Sequence, residues 1–366
     1  MKTDVVQFIG TSQARTWSTV EVGDLGEFVN GYPFKPDEWT VSHGDPIIRI
    51  QNLTDSSKPF NYFAGNIATR YRVHRGDLLI SWSASLDAFL WSGPDAWLNQ
   101  HIFKVTPNTD VVDPDFLYFL MKREIRNIAL SARGSTMKHV TGKIFRQHRV
   151  SLPPLDEQRR IARILSIIQR ARESTTEALG TAEALRRSIT ARLFTPSNEW
   201  LAVRLGDQIT LQRGHDLPSQ DREPGSVPVV SSSGITGWHS SSKAQGPGVV
   251  IGRYGTLGVV QFVEIPYWPL NTTLYVKNFH GNEPRFVRYF LETISYDVHN
   301  DKTSVPGVNR NDLHALQIMW PPLADQRKIA ATLDTVERRL ASEREVGCAL
   351  GSVFSSALSH LMTGAP

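Results

Sequence analysis

The chain reads as an α/β protein in which two similar mixed α/β domains are separated by two long helices that form an antiparallel intramolecular coiled coil. Three observations predict this. The stretch Leu152-Pro153-Pro154-Leu155-Asp156-Glu157-Gln158-Arg159-Arg160-Ile161-Ala162 returns as Trp320-Pro321-Pro322-Leu323-Ala324-Asp325-Gln326-Arg327-Lys328-Ile329-Ala330. Each copy opens a run that no proline or glycine interrupts before Gly180 or Gly347, which is the signature of a long helix. Far upstream of each copy the chain also starts alike: Trp17-Ser18-Thr19-Val20-Glu21-Val22-Gly23-Asp24 is echoed by Trp200-Leu201-Ala202-Val203-Arg204-Leu205-Gly206-Asp207.

Taken in order, residues 1–16 match nothing later and form an N-terminal arm. The first domain covers 17–151, the first long helix with its lead-in 152–199, the second domain 200–319 and the second long helix 320–366. Gly31 and Gly214 follow their tryptophans at the same distance and read as turn glycines. Arg75-Gly76-Asp77 leads into the apolar run Leu78 to Ser81, and Gly246-Pro247-Gly248 into Val249 to Gly252, each a turn feeding a buried strand. Asn99 to Phe103 parallels Asn271 to Tyr275. Asp113-Pro114 and Glu283-Pro284 each start a helix with proline in its first turn. The interiors, 51–63 in one domain and 219–244 in the other, share little, so one scaffold carries two different surfaces.

Each proline pair ends an extended segment, and Asp156 or Asp325 places negative charge in the first helical turn. The seam of the first helix runs Ile161, Leu165, Ile168, Arg172, Thr175, Leu179, Ala182, Arg186, Ile189, Leu193, alternating steps of four and three. The second repeats it as Ile329, Leu333, Val336, Leu340, Glu343, Gly347, Leu350, Phe354, Ala357, Leu361. Ten consecutive seam positions favour a coiled coil over two separate amphipathic helices. The polar breaks at Arg172, Thr175, Arg186 and Glu343 fit either a register device or partner contacts. From Asp156 to Phe194 the helix should reach about 58 Å at about 1.5 Å per residue. It delivers the chain to the second domain at its far end, so the second helix must run back.

Hydrophobic residues make up 40% and charged residues 21% of 366, which suits two domains with real cores. No apolar run reaches membrane-spanning length, and Met1-Lys2-Thr3-Asp4 lacks the layout of a secretion signal, so the cytoplasm is the expected location and no membrane partner is expected. A single cysteine, Cys348, excludes an intrachain disulfide and a cysteine-built zinc site, and the histidines lack metal-ligand spacing. Gly142-Lys143-Ile144 is no P-loop and Gly246-x-Gly248 no dinucleotide loop. Net charge is +4. Its distribution says more: Lys122, Arg123, Arg126, Arg133, Lys138, Lys143, Arg146 and Arg149 face only Glu124, so one surface late in the first domain should be strongly positive.

The duplicated Pro-Pro-Leu-x-(Glu/Asp)-Gln-Arg-(Arg/Lys)-Ile-Ala openings resemble the DNA-specificity subunit of type I restriction-modification systems. So do the helix ends Leu193-Phe194-Thr195 and Leu361-Met362-Thr363-Gly364, and the strand Gly248 to Gly258. The resemblance covers nearly all of the chain, except for the 16-residue opening. It implies two target-recognition domains at the ends of an antiparallel helical pair, each reading half of a bipartite, asymmetric site on double-stranded DNA. It further implies that catalysis belongs to partners: two DNA methyltransferase subunits docked on the helices, with restriction motor subunits as further candidates. This chain then needs no cofactor, and S-adenosylmethionine belongs on the partner methyltransferases. A stand-alone DNA-binding regulator and an unrecognised enzyme are the competing readings.

Candidate DNA contacts in the first domain are Arg133, Ser135, Thr136, Lys138, His139 and Lys143, a Gly-Ser-Thr loop with basic residues able to hold phosphates. In the second they are Ser232, Ser233, Trp238, His239, Lys243, Arg253, Tyr254 and Lys302. Partner contacts are expected at Ile164, Ile167, Ala171, Ala178 and Leu185, apolar positions beside the seam that a two-stranded pair does not consume.

Overall fold

A computed structural model describes residues 17–83, 85–131, 142–296 and 307–363. The chain forms two compact units, one built from residues up to Thr176 together with those from Val346 onward, the other spanning Glu177–Glu345. Each long helix is therefore shared between the two units.

In the first unit the chain lays down β1 (Ser18–Glu21), β2 (Gly26–Asn30), β3 (Asp45–Ile48), α1 (Ile50–Thr54), β4 (Asn61–Phe63), β5 (Arg72–Val73), β6 (Leu78–Ser81), β7 (Asp87–Leu90), β8 (Ala96–Leu98) and β9 (Ile102–Pro107). Then come α2 (Pro114–Ser131), α3 (Gly142–Gln147), β10 (Arg149–Leu152) and the long α4 (Leu155–Leu193). The sheets are β2-β9-β6-β7, β4-β3-β8-β5 and the pair β1-β10. In the second unit follow β11 (Leu201–Arg204), α5 (Leu205–Gln208), β12 (Thr210–Arg213), β13 (Val227–Ser231), β14 (Gly234–His239), β15 (Gly248–Gly252), β16 (Val260–Val263), β17 (Trp268–Pro269) and β18 (Thr273–Asn278). They are completed by α6 (Pro284–Thr293), α7 (Arg310–Ala315), β19 (Gln317–Trp320) and the long α8 (Leu323–Leu361). The sheets repeat as β12-β18-β15-β16, β14-β13-β17 and β11-β19, the three-stranded sheet having, among the described residues, no strand where β5 stands in the first unit.

The duplication runs deeper than the sequence reading allowed. It extends to the central strands: β3 pairs antiparallel with β4 and parallel with β8, as β13 does with β14 and β17. The register also corrects one expected match. The Gly31 N–H donates to Ile102 O and the Gly214 N–H to Thr273 O, so Asn99 corresponds to Leu270 and not to Asn271. This brings Trp97 and Trp268 onto equivalent positions. A Cβ on Gly31 would strike the Asn99 carbonyl, and one on Gly214 the Leu270 carbonyl, so the two glycines serve close backbone approach rather than a left-handed turn.

The repeated motif owes its form to its glutamine. Gln158 is 1% exposed; its Oε1 accepts the Asp113 N–H (2.8 Å), and its Nε2 donates to Val111 O (3.1 Å) and Pro153 O (2.8 Å). Gln326, 2% exposed, repeats this with the Glu283 N–H (3.0 Å), Asn282 Oδ1 (2.7 Å) and Pro321 O (3.1 Å). Each buried glutamine thus ties the start of a long helix to the start of α2 or α6, with its own polar atoms satisfied.

None of the twenty seam residues is exposed. Ile161, Leu165 and Phe354 join the core of the first unit, Ile329 and Leu333 that of the second. The long helices run antiparallel: Arg172 stacks on Phe354 (4.9 Å) and Gly347 lies beside Thr175 in the first unit, while Arg344 pairs with Glu183 (2.9 Å) and Arg186 with Glu337 in the second. The breaks at Arg172 and Arg186 are thus satisfied within the chain. Arg186 also meets Glu292 (3.0 Å), which Arg288 shares (3.1 Å). Burial pushes the Glu292 carboxyl above its ordinary range, and the two arginines only partly offset this.

Candidate nucleic-acid interface

In the second unit, three arginines from three elements line one cleft of about 460 Å³. Arg213 ends β12 opposite Leu274, Arg253 follows the last residue of β15, and Arg310 opens α7. Strand geometry makes this convergence: a residue just past a strand end projects at the sheet rim, where the backbone leaves the ladder. The Arg253 backbone is held on both sides, its N–H donating to Thr272 O (2.9 Å) and its carbonyl accepting the Val308 N–H (2.9 Å). Its guanidinium lies 4.5 Å from the ring centre of the exposed Tyr254. None of the ion pairs among the described residues involves these three arginines, whereas Arg285 and Arg288 of α6 are neutralised by Glu264, Asp334 and Glu292. Behind the cleft, desolvation, aided by the Arg310 charge, holds the His314 imidazole below its ordinary pKa. Its Nε2 accepts the Leu211 N–H (2.9 Å).

The equivalent place in the first unit has other chemistry. Asn30, opposite Phe103, stands where Arg213 stands, and Trp82, whose N–H donates to His101 O, stands where Arg253 stands. Trp82 Nε1 donates to Asn30 Oδ1 (3.2 Å), and its ring meets His101 (4.9 Å) and Phe103 (5.8 Å). His101 and Thr272 occupy matching positions, and His101 Nδ1 and Thr272 Oγ1 are both buried polar atoms without a hydrogen-bond partner. His101 also holds a left-handed backbone, φ 72°, a conformation that a non-glycine residue adopts at a cost.

Of the residues singled out in the sequence, Arg253 and Tyr254 line the cleft, and a Cβ on Gly252 would come within 3.3 Å of Ser232 Cβ, so Ser232 flanks the same turn. Ser233 is exposed, with its Oγ 3.0 Å from that of Ser231. Trp238 is 52% exposed on β14. Lys243 is exposed, with Nζ 5.0 Å from the Trp268 ring centre. His239 is buried at 6% exposure, accepting the Glu223 N–H on Nδ1 and meeting Trp268 edge-on, so it supports this surface from within. Lys143 is exposed on α3, the counterpart of α7. Arg133, Ser135, Thr136, Lys138, His139 and Lys302, like the N-terminal arm, lie outside the described residues. Sequence reasoning passed over Arg213, Arg310, Asn30 and Trp82. The one signal for Arg213 was its place beside the repeated Gly214. It also passed over Arg49, Arg70 and Arg72, which stack on Trp39, Tyr71 and Trp97. Arg72 over Trp97 matches Lys243 over Trp268, a cation on the equivalent ring in each domain.

On the long helices, Ile167 (55% exposed), Leu185 (58% exposed) and Ala178 face outward, while Ile164 and Ala171 are half-buried. Among the described residues no cluster of metal-ligating side chains occurs, and no helix is long and apolar enough to cross a membrane.

A duplicated scaffold on an antiparallel helix pair, with unlike side chains at equivalent positions of its two domains, defines a protein of two repeated α/β units. The chain belongs to the type I restriction modification DNA specificity domain family, whose model matches residues 14–182 and 197–346. It is 27% identical over 165 residues to the type I restriction enzyme EcoBI specificity subunit of Escherichia coli, and 20% identical over 225 residues to the MjaVIII specificity subunit of Methanocaldococcus jannaschii. These matches take in 45% and 54% of this chain but only 35% and 50% of those relatives. A putative type I restriction enzyme MjaX specificity subunit of the same archaeon is 20% identical over 398 residues, covering 95% of this chain and 93% of that one. The fold matches a type I restriction-modification S subunit from M. genitalium with TM-score 0.71 at 15% identity, over 98% of this chain and 99% of the other. It also matches a chain from a type I R-M assembly with TM-score 0.56 at 18% identity, over 96% and 99%.

Proposed function

We propose that this chain is the non-catalytic DNA-reading subunit of a type I restriction-modification complex, and that each domain reads one half of a bipartite, asymmetric site with unread bases between. The observation that carries this is the pairing of one scaffold with two chemistries: Arg213 and Arg253 at a cleft of one domain, Asn30 and Trp82 at the equivalent positions of the other. Equivalent scaffolds present equivalent edges to a duplex, and unlike side chains at those edges select unlike bases. Two methyltransferase subunits that bind S-adenosylmethionine dock around Ile164, Ile167, Ala171, Ala178 and Leu185, restriction subunits are candidate further partners, and the complex works in the cytoplasm.

Methylation-sensitive sequencing of genomic DNA with and without the gene tests this. A split, asymmetric methylated motif should disappear with the gene. Replacing 17–151 by another family member's segment should change one half of the motif only. An unchanged methylation pattern, or a swap that alters both halves, would overturn the reading.

A further inference from the structure

The cleft of Arg213, Arg253 and Arg310 brings together three cations that no carboxylate among the described residues neutralises. Three arginines lining one cleft favour a ligand bearing acceptor oxygens, to which guanidinium groups donate charge-assisted hydrogen bonds. Arginine suits the task, since its planar fork meets phosphate and guanine alike in a bidentate way. Arg253 is oriented beforehand by the Tyr254 ring and by the Thr272 and Val308 backbone bonds, so little freedom is lost when a ligand binds. Beside it, Thr272 Oγ1 is a buried hydroxyl with no partner. The equivalent positions of the first domain carry a tryptophan indole bonded to an asparagine instead.

Resting on the DNA-reading role, we propose that Arg213, Arg253 and Arg310 form an acceptor-binding pocket peculiar to the second domain. It takes either a backbone phosphate or the O6/N7 edge of guanine from the half-site read there. Arg253 makes the direct contact, which sets specificity when the acceptor is the guanine edge, and Arg213 and Arg310 supply charge.

The test uses the full chain and duplexes selected from a random-sequence library, titrated at several KCl concentrations. Arg213→Ala and Arg310→Ala should each flatten the plot of log affinity against log salt by about 0.9 for every phosphate no longer neutralised, on all sequences alike. Arg253→Ala should lower discrimination at one base pair by roughly 5- to 150-fold, and Arg253→Lys should recover charge without recovering discrimination. Replacing the half-site guanines by 7-deazaguanine separates the sources: a matching loss identifies the base edge, and an unchanged affinity with a flattened slope identifies phosphate. Unfolding midpoints equal to that of the parent chain exclude misfolding. If the parent chain binds and none of the three alanine variants alters affinity, slope or discrimination, the pocket assignment is wrong while the DNA-reading role stands. If the parent chain selects no duplex, that role fails and the pocket with it.

Discussion

Replacing Gln158 by alanine should show what the repeated motif is for. The substitution removes one acceptor and one two-fold donor at a site 1% exposed, leaving the Asp113 N–H and the Val111 and Pro153 carbonyls without their partner. A buried group left unsatisfied costs about 1–3 kcal/mol. The N–H bears most of this, because a carbonyl with two lone pairs tolerates a missing bond better. The sum is about 2–4 kcal/mol, a large part of the roughly 5–15 kcal/mol that stabilises a typical domain. Gln158→Glu keeps the acceptor but loses the donors and buries a charge, so it should cost at least as much. Urea denaturation followed by circular dichroism would measure the loss, and hydrogen exchange at the Asp113 amide would localise it. Gln326→Ala should cost the same in the second unit. The double variant should be additive, since the two glutamines share no partner. A Gln158→Ala protein within about 0.5 kcal/mol of its parent, with the Asp113 amide still protected, would refute the clamp.

Gly31→Ala and Gly214→Ala should each destabilise by about 1–3 kcal/mol through collision with a backbone carbonyl, while Gly180→Ala, whose Cβ meets nothing, should stabilise α4 by up to about 1 kcal/mol; thermal melts compare all three. The lowered pKa of His314 means that the unfolded chain binds its proton first. Its contribution to stability is complete above pH about 6.5 and is lost as pH falls below that value, and a melting midpoint with no decline between pH 7.5 and 5.5, or one equally steep in His314→Gln, would contradict this. Ile167→Asp and Leu185→Asp change exposed side chains and should leave the melting of the isolated chain within about 0.5 kcal/mol while lowering the mass of the complex with methyltransferase subunits; an undiminished complex would move the docking face elsewhere.

By itself the sequence determined the duplication, the two helices and their direction, because these rest on local signals: a proline pair, an uninterrupted helical run and a heptad seam repeat wherever the same local physics is needed. α4 was expected from Asp156 and begins at Leu155. Only the tertiary structure decided the rest. The role of Gln158 and Gln326 depends on backbone groups, and in Gln326 also on the Asn282 side chain, 43 to 47 positions away in the chain. Likewise Arg213, Arg253 and Arg310 meet only because strand pairing brings the end of β12, the turn after β15 and the start of α7 to one rim. The one-residue shift that matches Asn99 with Leu270 follows from hydrogen-bond register, which similarity in composition cannot supply. His239 and Trp238 are neighbours with opposite exposures for the same reason: successive strand residues point to opposite faces, and which face is buried is settled by what packs against it, here Trp268.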